Sequence, residues 1–131
     1  MNQLSGYIPE LAIASAFARK CDVELGGIEG PDFYVNSISV EVSRLTHSKN
    51  PQEIRRKLVR KVAKERRQGE IVAIDVTNTS LGISMWSKHH RYDIHKAIEA
   101  ALRLAKLGKR ATIAFTYQPN TLEPIGITLE L

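Results

Sequence analysis

The sequence predicts an α/β protein in which a mixed central sheet is flanked by helices. Short alternating strands follow one another across residues 22–44, and residues 71–77 are almost continuously apolar. A continuous apolar strand is typical of a central strand covered on both faces. Amphipathic helical patterns at residues 51–67 and 93–107 stand on either side of it, as expected for crossovers in such a sheet. The predicted order of elements is αβββαβαββ.

Length and composition suit one domain spanning residues 1–131. The chain is 43% hydrophobic and 25% charged, which is typical of soluble globular proteins. No apolar run approaches the roughly 18–20 residues that a membrane span needs, and no secretory signal pattern opens the sequence. These features, together with the single cysteine, predict a cytoplasmic protein that has no membrane partner and no internal disulfide.

A first helix is expected at residues 8–20, with Pro9 at its first position, where a missing N–H costs nothing. Glu10 lies three and seven residues before Ile13 and Phe17, so it shares a face with the apolar stripe. A carboxylate at a helix N-terminus is favoured by the helix dipole. Glu10 therefore either complements that dipole or belongs to a site.

The next stretch predicts a three-stranded meander. A short strand at residues 22–25 leads through a glycine-rich loop to two alternating strands at 32–35 and 38–44. Asn36 and Ser37 stand where a two-residue hairpin loop is expected. This loop fixes which residues of the two strands face each other.

In that register Asp32 faces Glu41. Directly opposed side chains have Cβ atoms about 4.5–5.5 Å apart, so the two carboxylates repel each other unless a counter-charge is present. Magnesium is a suitable counter-charge, because it binds one or two carboxylates together with water and phosphate. Ser43 shares the face of Glu41. The opposite, core-facing side is expected to carry Phe33, Val35, Ile38, Val40 and Val42.

The second helix predicts a polyanionic partner. Asn50 caps it and Pro51 opens it. Eight basic residues and two glutamates give residues 51–67 a net charge of +6, against +5 for the whole chain. Such a charge run is either a solvated face or the footprint of a nucleic acid, and the imbalance of sign favours the nucleic acid. The residues expected to contact phosphates are Arg56, Lys57, Arg60 and Lys64.

The second half of the chain completes the sheet. Asp75 near the end of the apolar strand is interpreted as a hydrogen-bonded strand-end residue, and a helix at residues 93–107 should stop at Gly108. Two further strands are expected at residues 111–117 and 125–131.

Residues 81–92 are expected to be irregular. Lys88 and Arg91 lie close to Trp86 in sequence, and basic groups beside a tryptophan can hold phosphate and stack a base. The alternative is that Trp86 simply packs against the sheet.

The pair Pro31-Asp32, followed by Glu41-Val42-Ser43, resembles the signature of the PD-(D/E)xK nuclease superfamily, the restriction endonuclease-like proteins. That signature is an acidic residue on one strand and acidic-x-Lys on the next. The superfamily shares an αβββαβ core, and the resemblance here covers residues 10–77. At the position of the signature lysine this chain has Ser43.

The resemblance implies a metal-dependent nuclease whose partner is nucleic acid, with DNA favoured and the choice between DNA and RNA left open by the sequence. It implies that Asp32 and Glu41 bind Mg²⁺ or Mn²⁺ and that Glu10, on the first helix, assists them. Ser43 belongs to the same candidate site. Some members of the superfamily have the lysine moved to another element.

Lys61 is the expected replacement for that lysine. At about 100° per residue it falls inside the stripe formed by Ile54, Leu58 and Val62, with Lys57 at its border. A lysine on such a stripe either serves the site or covers apolar surface with its stem.

Two other functions remain open. Ser43 is compatible with a protein of the same fold that binds nucleic acid without cutting it. The paired acids are also compatible with an interaction or structural protein in which they form a wet sheet face. The sequence leaves protein partners and oligomeric state undetermined, with a homodimer among the options.

Overall fold

A single six-stranded mixed sheet forms the centre of the protein, with the strands arranged in chain order. The computed structural model describes residues 3–27, 30–45, 50–65, 70–118, 120–121 and 123–129. The strands are β1 (Val23–Leu25), β2 (Phe33–Val35), β3 (Ile38–Arg44), β4 (Ile71–Asp75), β5 (Ala111–Tyr117) and β6 (Pro124–Leu129). The helices are α1 (Gln3–Ala18), α2 (Pro51–Glu65), α3 (Ser80–Ser87) and α4 (Ile94–Lys106), and a 3₁₀ turn spans His89–Arg91.

The three central strands β3, β4 and β5 run parallel, whereas the outer pairs on both sides are antiparallel. All five residues of β4 are buried, as its apolar sequence predicts. The predicted α/β class with a mixed central sheet is therefore confirmed.

Two hydrophobic cores lie on opposite faces of the sheet. The first core joins α1 and α4 to one face, through residues such as Phe17, Phe33 and Ile98. The second core joins α2 and α3 to the other face, through residues such as Leu58 and Met85. Because β4 contributes alternate residues to the two cores, its side chains are enclosed on both sides.

The hairpin formed by β2 and β3 has the predicted register. Asn36 (φ 48°) and Ser37 (φ 70°) form the two-residue loop with positive φ at both positions, the pattern of a type I′ turn. The paired residues are Phe33 with Val40, Tyr34 with Ser39, and Val35 with Ile38.

The burial expected for this hairpin is confirmed for three of the five core-facing residues, and Ile38, beside the turn, is half-buried. Phe33, Val35 and Val40 are fully buried. Val42 is only half-buried, because β2 starts at Phe33 and leaves this part of β3 without a strand partner on that side.

The starts of α2 and α4 also follow their sequence signals. Asn50 Oδ1 accepts the Gln52 N–H at 2.9 Å and caps α2. Asp93 accepts the His95 N–H at 2.9 Å and caps α4, and Gly108 follows that helix with φ 75°. The predicted last residue of the second helix, 67, and of the last strand, 131, lie outside the described residues.

The predicted start of the first helix was wrong. The helix begins at Gln3, and Pro9 lies inside it rather than at its first position. A proline inside a helix removes one i→i−4 hydrogen bond and crowds the carbonyl one turn earlier, at a cost of about 3 kcal/mol, so the turns before Pro9 form in spite of this local penalty. Pro9 itself is buried.

The prediction that residues 81–92 are irregular was also wrong, because residues 80–87 form α3. Thr79 caps this helix by accepting the Gly82 N–H at 3.3 Å. Gly82 lets the helix approach the end of β4, since a Cβ there would stand 2.3 Å from the Val76 carbonyl oxygen. None of the helices in the described ranges is long and apolar enough to cross a membrane.

Candidate active site

The backbone at Asp32 is held by the loop between β1 and β2. The Gly26 N–H donates to the Asp32 carbonyl oxygen at 3.1 Å. A Cβ on Gly26 would stand 1.7 Å from the Pro31 carbonyl oxygen, so only glycine allows this approach. The contact sets the position from which the Asp32 side chain extends.

The Asp32 side chain replaces a missing strand partner of β3. Its Oδ2 accepts the Val42 N–H at 2.7 Å, the short distance typical of a charge-assisted hydrogen bond. The carboxylate therefore lies against the peptide that joins Glu41 to Val42. Asp32 is half-buried in this position.

Glu41 projects from β3 beside Asp32, next to Val72 of β4. Val40 and Val42 pack towards the first core, so alternation directs Glu41 and Ser43 towards the layer of α2. Glu41 is half-buried, and its Oε2 atom is shielded from solvent. The structure therefore places the Asp32 carboxylate against the backbone next to Glu41, and the close approach of the two carboxylates stays a prediction.

Glu10 is electrostatically coupled to Asp32. Burial raises the pKa of Glu10 above its usual value of 4.5, and the negative charge of Asp32 raises this pKa further. The helix-dipole interpretation of Glu10 was wrong, because seven residues of α1 precede it and dipole effects fade after the first turn. Glu10 therefore shares the surroundings of Asp32 although α1 packs on the opposite face from α2.

These acids suit a hard divalent cation that is completed by other ligands. Among the described residues, no three carboxylate, imidazole or thiol groups are close enough to hold a metal ion by themselves. Magnesium needs only one or two protein carboxylates, with water and substrate phosphate as its other ligands. Asp32 and Glu41 supply that number of carboxylates, and the pKa of Glu10, raised first by burial and then by the charge of Asp32, leaves negative charge nearby that a cation would offset.

Lys61 lies on the helix that covers the Glu41 face of the sheet. It is half-buried and, with Lys57, Arg60 and Lys64, lines a shallow depression of about 250 Å³ that reaches Leu45, just after β3. Lys57 also pairs with Glu53 one turn away at 3.2 Å. The structure thus places Lys61 in the predicted layer, and the reach of its ammonium to the two carboxylates stays a prediction.

The exposed side of α2 is strongly basic, with Arg56, Arg60 and Lys64 all open to solvent. Lys88 and Arg91 are exposed at the end of α3 and in the 3₁₀ turn. Trp86, in the last turn of α3, is half-buried, and its Nε1 donates to Thr116 Oγ1 at 3.1 Å. This hydrogen bond supports the packing interpretation of Trp86.

Sequence reasoning identified Asp75 as a hydrogen-bonded strand-end residue but missed its partners. Asp75 is buried, and its Oδ2 lies 3.2 Å from Arg44 Nε. The backbone N–H of Thr77 donates to its Oδ1 at 2.9 Å. Burial, followed by the charge of Asp75, raises the pKa of Tyr117. This network joins the ends of β3, β4 and β5.

A separate cleft of about 620 Å³ lies between α1, the start of α4 and the segment before β6. Arg19 stands on its wall, within 3.1 Å of Glu123 and 3.3 Å of His95. Neither Asp32 nor Glu41 is among the residues that line the cleft. It is therefore distinct from the carboxylate site.

Comparison of the chain with protein-family models, curated proteins and solved structures found no match.

Replacing Glu10 by Gln should raise the melting temperature at pH 7 without added metal. The folded-state pKa of Glu10 lies above 4.5, so the stability of the wild type falls as the pH rises from about 4.5 through that pKa. The variant has no ionisable group at this position and does not lose this stability, so the melting temperatures of the two proteins should converge below pH 4.5. Thermal melts across this range measure the difference. The matched control, Glu24→Gln on an exposed strand position, should not show it, and an unchanged Glu10→Gln melt at pH 7 would refute the coupling.

Proposed function

We propose that the protein is a metal-dependent nucleic-acid phosphodiesterase, a nuclease of the PD-(D/E)xK type. The observation that carries this proposal is the Asp32 carboxylate fixed at 2.7 Å against the Val42 N–H, beside Glu41. The turn at Asn36 and Ser37 sets this arrangement, and α2 adds a basic surface on the same side of the sheet. Paired acids beside a cationic surface suit a phosphodiester substrate.

The candidate residues have separate roles in the proposed reaction. A bound Mg²⁺ or Mn²⁺ would polarise the scissile phosphate and lower the pKa of an attacking water. Asp32 and Glu41 would hold the cation, and Glu10 would add negative charge at the edge of the site. The ammonium of Lys61 would offset charge that develops on the phosphate, a role that Ser43 cannot fill. The exposed basic residues of α2 would hold the substrate backbone, with Lys88 and Arg91 as a second contact.

The second candidate function is a nucleic-acid-binding protein of the same fold that does not cut. Ser43 favours it, because the cation expected two residues after Glu41 is absent from β3. Nucleic-acid binding requires only the basic surface, so this candidate shares the α2 interface with the nuclease. Both candidates are proposed to act on DNA in the cytoplasm.

Asp32→Asn should remove the response to metal while preserving the fold. An asparagine oxygen can still accept the Val42 N–H, so the substitution removes charge with little structural cost. Wild-type protein should melt at a higher temperature with Mn²⁺ than without it, because a ligand that binds the folded state stabilises it. Asp32→Asn and Glu41→Gln should lose this increase and any DNA cleavage. Cleavage that survives both substitutions would exclude the proposed site.

Lys61→Ala should abolish cleavage and leave the Mn²⁺-dependent rise in melting temperature unchanged. A contact made mainly in the transition state affects the rate much more than ground-state binding. Lys106→Ala, at an exposed position on α4, is the control lysine and should retain cleavage. If wild-type protein binds DNA and cuts neither with Mg²⁺ nor with Mn²⁺, the non-cutting candidate is correct, and Ser43→Lys is the variant in which activity should be sought.

Neutralising Arg60 and Lys64 together should flatten the dependence of DNA affinity on salt. Each phosphate contact contributes about 0.9 to the slope of log affinity against log salt concentration, so the double Gln variant should lose up to roughly 1.8. The control is a double Gln variant of Arg103 and Lys106. These two residues are exposed on α4, in the opposite layer. An equal change of this slope in both double variants would show that α2 is not part of the DNA interface.

A further inference from the structure

The cleft between α1 and the start of α4 has the size and lining of a small-molecule site. Its volume of about 620 Å³ falls within the range of about 300–1,000 Å³ that is usual for ligand pockets. Leu11 on α1, Ile94 on α4 and Ile125 on β6 give it apolar walls. Three histidines and Tyr92 add aromatic rings to the described part of the lining. The cleft therefore combines apolar and aromatic surface with a small number of charged groups.

The helix α1 gives the cleft an apolar end and a charged end. Leu11, Ser15 and Arg19 line it at intervals of four residues, so they follow one helical face. At a rise of 1.5 Å per residue, about 12 Å separates Leu11 from Arg19 along the helix axis. This length suits a ligand that has a charged head and a compact apolar body.

Three elements hold the charged end in place. Arg19 Nη2 donates to Glu123 Oε1 at 3.1 Å, and Arg19 Nη1 lies 3.3 Å from His95 Nε2. The Glu123 backbone N–H donates to Thr121 Oγ1 at 3.3 Å, and the His95 backbone N–H donates to Asp93 Oδ1 at 2.9 Å. A guanidinium, a carboxylate and an imidazole therefore lie side by side. The Arg19 and Glu123 side chains are 57% and 70% exposed, so both can be reached by a ligand.

We propose that this cleft binds a free aromatic α-amino acid, with its carboxylate on Arg19 and its ammonium on Glu123. The two opposite charges of an α-amino acid are joined through a single carbon, so they match a cation and an anion that lie side by side. A guanidinium binds a carboxylate through two parallel N–H···O hydrogen bonds. Because an exposed ion pair contributes little to stability, Arg19 and Glu123 can exchange partners with the ligand at small cost.

The charges of the lining disfavour other classes of ligand. Among the described lining residues, Arg19 is the one lysine or arginine, and it faces the carboxylates of Asp93 and Glu123. With neutral histidines the net charge is −1, which disfavours phosphates and other polyanions. A ligand with a single charge would satisfy either Arg19 or Glu123 and not both. The inference therefore goes beyond the proposed nucleic-acid function and does not depend on it.

The rings of the lining favour an aromatic side chain on the ligand. The His89 and His90 rings have centroids 6.2 Å apart and an interplanar angle of 83°, an edge-to-face arrangement. Aromatic groups prefer edge-to-face and offset contacts, which add to the gain from burying apolar area. Leu11 is 38% exposed and offers apolar surface to the same ligand. A phenyl or indole ring can make both kinds of contact.

Three matched probes test the proposal: L-phenylalanine, phenylpropionate, which lacks the amine, and phenylethylamine, which lacks the carboxylate. Titrations at about pH 8 keep the histidines neutral, and the backbone amide signals of the lining residues should shift. Phenylalanine should bind with a dissociation constant of about 1 mM or lower, since it has about 12 non-hydrogen atoms. Each of the other two probes should bind about tenfold more weakly, the effect of one lost hydrogen bond to a charged group.

Variants of the cleft assign each charge of the ligand to its partner. Arg19→Gln should weaken phenylalanine binding about tenfold and should not weaken phenylethylamine. Glu123→Gln should weaken phenylalanine equally and should not weaken phenylpropionate. Ser15→Phe, at an exposed position on the cleft wall, should abolish binding of all three probes by filling the cleft. The controls are Arg103→Gln and Glu24→Gln, at exposed positions outside the lining, and both should bind as the wild type does.

The outcomes separate this inference from the proposed function. Absence of phenylalanine binding, equal affinity for the three probes, or binding that persists in Ser15→Phe would each overturn the amino-acid site. None of these results affects the nuclease proposal, because Asp32 and Glu41 do not line the cleft. The expected pattern of affinities in a protein that binds no DNA would support the amino-acid site and overturn only the proposed function.

Discussion

The two-residue turn at Asn36 and Ser37 is the constraint on which the arrangement of both faces depends. Both residues have positive φ, which suits the twist of the strands they join. Asn36 is also hydrogen-bonded to Asp22, the residue just before β1. Its N–H donates to the Asp22 carbonyl and its Oδ1 accepts the Asp22 N–H, each at 3.0 Å. A shift of one residue would turn Val40 away from its core and direct Glu41 into it. One turn therefore assigns both the core residues and the carboxylates of the site.

Elements with strong local signals could be predicted from the sequence. The bounds of β3, the start of α2 at Pro51 and the stop of α4 before Gly108 each follow from a turn, a cap or a glycine within a few residues. The start of α1 and the existence of α3 could not be predicted in this way. Pro9 is a valid first residue in isolation, and the short α3 depends on Gly82 packing closely against the end of β4.

The candidate site also has some features that the sequence predicts and others that it does not. The opposition of Asp32 and Glu41 follows from counting residues about the turn. The hydrogen bond from Val42 to Asp32 does not, because it requires β2 to start only at Phe33 while β3 continues beyond Val40. The coupling of Glu10 to Asp32 also needs the packing of α1 on the sheet, which no local pattern contains.

The attachment of α2 has a consequence for how this protein can diverge. Ile54, Leu58 and Val62 recur every fourth residue and hold the helix to the sheet. The exposed positions between them make no contribution to the core, so substitutions there carry little cost in folding stability. A lineage descended from this chain could therefore exchange its outward α2 surface rapidly under selection while the hairpin and both cores stayed the same.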